Sequence, residues 1–254
     1  MRELEGKVAF LTGAGRGVGV GIAIALAKAG ATTGLFGRTR ETLEQTAAKI
    51  AEVGGRSLIC VGDVGIRADV DRAVATVQER FGPIWALVNN AYAAERTQTE
   101  DITDEILDGA LRACVHGSLY AMQACFPTMR KHGGRIINFG SGGATMGLPE
   151  LGAYNIAKEA VRGLTKTAAM GWGKYGVTVN TICPLSMSDA YRTWFEDMID
   201  DEGRRKHLEG IPLRRMGDAE KDIGALVVFL AGPGGGYMTS RTLHVDGGNC
   251  CYDR

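Results

Sequence analysis

Tyr154 and Lys158 stand four residues apart in "AYNIAKEAV", residues 153–161. Side chains at i and i+4 share one face of any helix. A phenol beside an ammonium can be a solvated surface pair, or an acid–base group whose proton affinity the cation sets. The stretch alone leaves both open. What decides between them is the company the pair keeps elsewhere in the chain.

A second chemical signal is "FLTGAGRGVGVGIA" at 10–23. The glycines follow G-x-x-x-G-x-G on Gly13, Gly17 and Gly19, with Thr12 before them, and do not fit G-x-G-x-x-G. Residues without Cβ let backbone N–H groups and a helix N-terminus approach a pyrophosphate. An ordinary structural turn is the competing reading. The position favours the phosphate, because a strand precedes the run and a helix follows it. The end of the second strand then bears on which dinucleotide binds. A carboxylate there accepts from a ribose 2′-OH in NAD sites. This chain instead has "LFGRTRE", with Gly37 and Arg38, and Arg16 lies inside the glycine loop. Two guanidiniums and no carboxylate suit a 2′-phosphate, which arginine grips bidentately. Either arginine singly could be a solvent-facing residue at a helix start. Together they favour NADP(H) over NAD(H).

The elements that must position these groups alternate regularly. Seven β-rich apolar runs are predicted as strands: "KVAFLTG", "ATTGLFG", "RSLICVGDV", "IWALVNN", "GRIINFGS", "GVTVNTICP" and "RTLHVDGG". Between them fall helical periods in "GVGVGIAIALAKAG", "RETLEQTAAKIAEVGG", 66–81, near 101–130, 153–174 and 219–231. Such alternation implies right-handed β-α-β crossovers, and so an α/β fold of Rossmann type. The expected sheet is doubly wound, seven-stranded and parallel, with helices on both faces. The whole chain, 1–254, reads as a single dinucleotide-binding and catalytic domain. Residues 184–218, which carry Trp194, Phe195 and the charged run "EDMIDDEGRRKHLEG", follow a strand's carboxyl end and read as a substrate lid.

Several spaced motifs now stand in one order: "TGAGRGVG" at 12–19, "GDV" at 62–64, "NNA" at 89–91, Ser141, Tyr154-x-x-x-Lys158 and "VDGG" at 245–248. In this order the chain resembles the short-chain dehydrogenase/reductase family, in its compact single-domain form, across nearly its whole length. The resemblance implies that Tyr154 is the general acid/base. Ser141 would hydrogen-bond the reacting oxygen, and Lys158 would hold the nicotinamide ribose and, together with an oxidised nicotinamide, lower the phenol's pKa. It implies that Asp63 and Val64 border the adenine and that Asn89 and Ala91 lie along the adenosine ribose. Thr12, Gly13, Arg16, Gly17, Val18, Gly19, Arg38 and Pro184 complete the implied cofactor set, with Tyr154 and Lys158. Singly, Asn89 could cap a loop and Ser141 could close a turn. The resemblance also implies a homotetramer built through the two long helices and the C-terminal strand, in which Cys250-Cys251 could reach a neighbouring subunit.

The chain departs from the family pattern around the nicotinamide. Cys114 stands where the family has a catalytic asparagine, three residues before Gly117. A thiol is a poor donor and acceptor, and Cys114 continues an apolar stripe of Leu107, Leu111, Met122 and Cys125, so it reads as core. Leu185 replaces a glycine, Asp189 a threonine that Ser186 or Ser188 could stand in for, Tyr92 a glycine and Ser240 a glycine.

Composition bounds the rest. Among 254 residues, 29 Lys+Arg balance 29 Asp+Glu, which leaves no charge footprint for nucleic acid. No apolar run reaches spanning length and no signal-peptide pattern opens the chain, so a cytoplasmic protein with reduced thiols is expected. The six cysteines form no Cys-x-x-Cys pair and the four histidines add no ligand spacing, so no metal is expected. The leading reading is an NADP(H)-dependent interconversion of a small-molecule carbonyl and alcohol. The alternatives are C=C or C=N reduction on the same scaffold, or a weakly catalytic NADP-binding sensor or partner subunit.

Overall fold

The computed structural model describes residues 2–93, 95–187, 191–192, 195, 197 and 199–250. Ser188, Asp189, Trp194 and Cys251 lie outside the described residues. The strands are β1 (Val8–Thr12), β2 (Thr32–Gly37), β3 (Arg56–Val61), β4 (Ile84–Asn89), β5 (Gly134–Phe139), β6 (Val177–Pro184) and β7 (Thr242–Val245). They pair in parallel in the order β3-β2-β1-β4-β5-β6-β7. Every residue of β1 is buried, as expected of a strand covered by helices on both faces. The edges differ: β7 is only half-buried along its length.

Helices α1 (Gly17–Lys28), α2 (Arg40–Glu52), α3 (Arg67–Phe81), α4 (Asp104–Leu111), α5 (Gly117–His132), α6 (Gly142–Met146) and α7 (Gly152–Trp172) supply the crossovers or cap the loops. One core layer packs Ile22, Leu26 and Leu230 against Leu11, Leu35 and Val88. The other packs Val74, Val77, Met122 and Met129 against Phe10, Phe36 and Leu87. Alternating strand residues thus feed opposite layers. β1 takes β2 on one side and β4 on the other, so the connections reverse direction there. In doubly wound sheets the crevice at such a reversal is where ligands bind.

Three features depart from the sequence-based expectation. The helix anticipated near 101–130 is interrupted by a π turn at Arg112–His116. Just past it, in α5, the Ser118 hydroxyl donates back to the Cys114 carbonyl at 2.7 Å, one way a side chain competes with the backbone ladder. The charged segment of the expected lid contains a helix, Asp201–Gly210, whose cap Asp200 accepts from the Gly203 N–H at 2.8 Å. Its ion pairs, Arg205 with Glu202 and Glu209, run along the helix at i,i+3 and i,i+4 spacing. A five-residue helix, α6, begins directly after Ser141. Among the described residues no helix is long and apolar enough to cross a membrane.

Candidate active site

The glycine loop leaves β1 and enters α1 as backbone only. Gly13 sits at φ +66°, and a Cβ there would lie 2.8 Å from the Ala91 Cα. At Gly19 a Cβ would fall 2.1 Å from the Gly13 carbonyl oxygen. The loop and the first turn of α1 are therefore pressed against each other and against the end of β4. Arg16 caps α1 with extended backbone and no side-chain bond, and no acidic residue occupies the first turn. The first N–H groups of α1 have no partner within the helix, and the positive end of its dipole is uncompensated.

Behind the loop, the Thr12 hydroxyl accepts from the Asn90 and Ala91 N–H groups, both at 3.1 Å. Asn90 returns two bonds from Nδ2, to the carbonyls of Thr12 at 3.3 Å and Gly13 at 3.0 Å. A cleft of about 690 Å³ opens in front of these residues. Gly13, Arg16, Gly17, Val18, Arg38, Asp63, Val64 and Ala91 all line it. Arg16 and Arg38 make no ion pair among the described residues, so both guanidiniums are uncommitted. Asp63 is anchored at both ends: its Oδ1 accepts from the Gly65 N–H at 2.8 Å, and its own N–H donates to Asp69 at 3.0 Å.

Other residues of the expected set do not line this cleft. Thr12 and Asn89 are buried behind the cleft wall, at 2% and 3% exposure. Asn89 donates to Asn138 Oδ1 at 2.8 Å, and Asn138 donates to Thr165 on α7 at 2.9 Å. Thr181 on β6 donates to the same Thr165 hydroxyl at 2.9 Å. This chain of buried bonds ties β4, β5, β6 and α7 together beneath the site. Low local dielectric strengthens such bonds and makes breaking them costly. Sequence reasoning missed Asn90, Asn138 and Arg112, the last of which packs on Gly65 and lines the cleft. The one signal for Asn138 was a polar residue inside the apolar run "RIINFGS".

At the carboxyl end of β5, Ser141 caps α6 and accepts from the Ala144 N–H at 3.4 Å. Lys158, 3% exposed, donates from Nζ to the Phe139 carbonyl at 2.8 Å. That bond pulls α7 onto β5 and carries Tyr154 to the side of Ser141, whose hydroxyl acts to favour the phenolate. The ring of Tyr92, at the end of the cleft, meets Tyr154 edge-on at 5.9 Å. The Lys158 ammonium lies 5.5 Å from the Tyr92 ring centre and 5.6 Å from that of Tyr154. The structure thus brings Ser141, Tyr154 and Lys158 together, with Tyr92 joining them to the cleft.

The protein's own groups set the phenol's proton affinity against one another. Burial dominates and pushes Tyr154 up to about 12, while the neighbouring Ser141 hydroxyl acts the other way. Desolvation disfavours the phenolate, and Lys158 spends its short contact on a backbone carbonyl. Cys114, 1% exposed, packs with Ala110, Ala153, Ala157 and Val161 behind the tyrosine, as an apolar core residue would. Pro184 ends β6, and the following Leu185 N–H donates to the Val245 carbonyl at 2.9 Å. The five described cysteines carry no disulfide.

Fold and site together define a dinucleotide-binding α/β protein of the Rossmann type, with a Ser–Tyr–Lys cluster at the sheet's carboxyl edge. Residues 13–249 match the family model described as enoyl-(acyl carrier protein) reductase. The chain belongs to the short-chain dehydrogenase/reductase family. It is 34% identical over 252 residues to the 12alpha-hydroxysteroid dehydrogenase of a Clostridium species, covering 96% of each chain. It is 36% identical over 253 residues to the 3-oxoacyl-(acyl carrier protein) reductase of Vibrio harveyi, covering 96% of this chain and 98% of that protein. A single-site variant of actinorhodin polyketide ketoreductase, solved with NADPH, superimposes with a TM-score of 0.91 at 28% identity, covering 97% of this chain and 98% of that one. The chain is an oxidoreductase of this family, and the family's cofactor is a nicotinamide dinucleotide.

Proposed function

We propose that the protein is an NADP(H)-dependent oxidoreductase that interconverts a small-molecule carbonyl and its alcohol, with Tyr154 as general acid/base. The observation that carries this reading is the grouping of Ser141 and Tyr154 beside a buried Lys158, at the end of a glycine-walled cleft. When bound, the nicotinamide supplies a hydride to the carbonyl carbon or takes one from the alcohol carbon. The α1 N-terminus and the glycine loop would hold the pyrophosphate. Arg16 and Arg38 would grip a 2′-phosphate, Asp63 and Val64 would border the adenine, and Lys158 would hold the nicotinamide ribose. Ser141 orients the substrate oxygen, and Tyr154 gives it a proton as the new C–H bond forms. In the reverse direction Tyr154 accepts the alcohol proton. A homotetramer in the cytoplasm remains part of this reading, by family resemblance.

The direction of the phenol's shift sets the pH dependence. Carbonyl reduction needs the protonated phenol, and a pKa near 12 keeps it protonated throughout the neutral range. Alcohol oxidation needs the phenolate, which is scarce below that pKa and grows about tenfold per pH unit. Rate–pH profiles in the two directions should therefore diverge, with reduction flat near neutrality and oxidation rising with pH. An oxidation rate that falls as pH rises would remove Tyr154 from the role of base.

Cofactor preference is read by titrating the protein with NADPH and NADH and following nicotinamide fluorescence. Arg38→Ala is expected to weaken NADPH binding about 10- to 100-fold and to leave NADH nearly unchanged, since charge-assisted bonds contribute about 1.5–3 kcal/mol. Equal loss for both dinucleotides would show that Arg38 does not meet the 2′-phosphate. The matching family description names a C=C reductase, which keeps enoyl reduction as the second reading. Assay of an enoyl thioester beside a ketone panel separates the two.

A further inference from the structure

The C-terminal strand ends in a group of side chains that the site above does not use. His244 on β7, Asp246 just after it and Cys250 offer one ligand atom each, and these atoms all lie within 4.8 Å of one another. We propose that His244, Asp246 and Cys250 form a binding site for a borderline-soft divalent cation of the zinc class. An imidazole nitrogen, a thiolate and a carboxylate are the donor types zinc takes, whereas magnesium and calcium prefer oxygen alone.

The local geometry supports this on three counts. The His244 Nδ1 is enclosed and has no hydrogen-bond partner, and it faces Asp246 Oδ2 at 3.9 Å. A buried ring nitrogen left in this way is costly unless something binds it. The Asp246 carboxylate, 8% exposed, accepts from the Gly248 N–H at 3.0 Å and from the Cys250 N–H at 2.7 Å. Those bonds fold Cys250 back toward His244, and they use two of a carboxylate's roughly four acceptor positions. Tetrahedral zinc, with bonds of about 2.0–2.3 Å, sets its ligands about 3.3–3.7 Å apart, so closure needs only small side-chain rotations.

A cavity of about 470 Å³ adjoins the cluster and is lined by His244, Asp246, Gly247 and Gly248. Three protein ligands beside an open cavity leave the fourth position to water or a small ligand. The cluster also touches the catalytic loop: a Cβ at Gly142 would sit 2.8 Å from the Cys250 sulfur, and Ser141 is its neighbour in sequence. A cation held here would fasten the C-terminal segment to the Ser141 turn. The expectation that the chain holds no metal rested on Cys-x-x-Cys and His spacings. This set mixes three ligand types, and the turn at Asp246 gathers them.

The test is a Co(II) titration of the full-length protein, reduced and stripped of metal with a chelator. Binding requires the Cys250 thiol to lose its proton, so a thiolate-to-cobalt charge-transfer band and proton release should appear together. The expected result is one cobalt per chain, displaced by zinc. The charge-transfer band is absent in Cys250→Ser and affinity falls at least about 100-fold in His244→Gln, given that loss of an outer-shell partner alone costs about 10–100-fold. Both variants are read, so that misfolding of one, seen by circular dichroism, leaves the other decisive. Cys251→Ser should keep the band. No band in the wild-type protein, a band that survives Cys250→Ser, or one lost only in Cys251→Ser overturns the proposal.

Discussion

Tyr154→Phe is expected to lower turnover by about 10²–10⁴-fold, the usual contribution of a positioned general acid or base, while leaving nucleotide binding within a few-fold. The phenyl ring keeps its edge-on contact with Tyr92 at 5.9 Å, so the packing around Lys158 is retained. Only the hydroxyl beside Ser141 is lost, and with it the proposed proton donor. Because the nucleotide cleft is lined by the glycine loop, Arg38 and the segments after β3 and β4, its affinity should not follow the loss of rate. Initial rates on a competent carbonyl, measured with a parallel fluorescence titration of the dinucleotide, decide the matter. A variant that keeps the wild-type rate would assign the proton transfer to another group. A variant that loses rate and binding equally would show that the tyrosine shapes the cofactor site.

The second large effect lies at the other end of the cleft. Gly19→Ala is expected to weaken dinucleotide binding by about 100-fold or more, or about 2.7 kcal/mol. The added Cβ would fall 2.1 Å from the Gly13 carbonyl oxygen and 2.9 Å from Asn90 Nδ2. Backbone cannot rotate away as a flexible side chain can, so the loop must separate from α1 and break the Asn90 bonds to Thr12 and Gly13. Those bonds set the cradle the pyrophosphate would enter. Denaturant unfolding measured alongside the titration separates a lost cradle from a lost fold. Normal affinity in a folded Gly19→Ala protein would show that the loop tolerates the shift and that the close approach is not what binds phosphate.

Much of the fold was legible in the sequence because its signals are local. Period-2 apolar runs, 3.6-period helices and glycine stops depend on residues a few positions apart, and all seven strands appear where those patterns put them. The Tyr154/Lys158 face follows from helix geometry alone. Arg16 and Arg38 were placed near one another because the first β-α-β unit brings the starts of two helices to the same edge of the sheet. The π turn at Arg112–His116 was not legible: it depends on Ser118 taking the Cys114 carbonyl and on Gly117 lying against Val64, contacts a periodicity cannot carry.

The sequence by itself determined which element types form, where the glycine cradle falls, and which face of α7 carries the phenol and the ammonium. Only the tertiary structure decided that Asn90 faces the cleft while Asn89 is buried behind it. Tertiary packing also set the phenol's pKa upward, placed Tyr92 against both Tyr154 and Lys158, and gathered His244, Asp246 and Cys250. The division has one physical cause. Periodicity is written by neighbours along the chain, whereas burial, electrostatics and ligand geometry are sums over groups that meet only after the sheet has assembled.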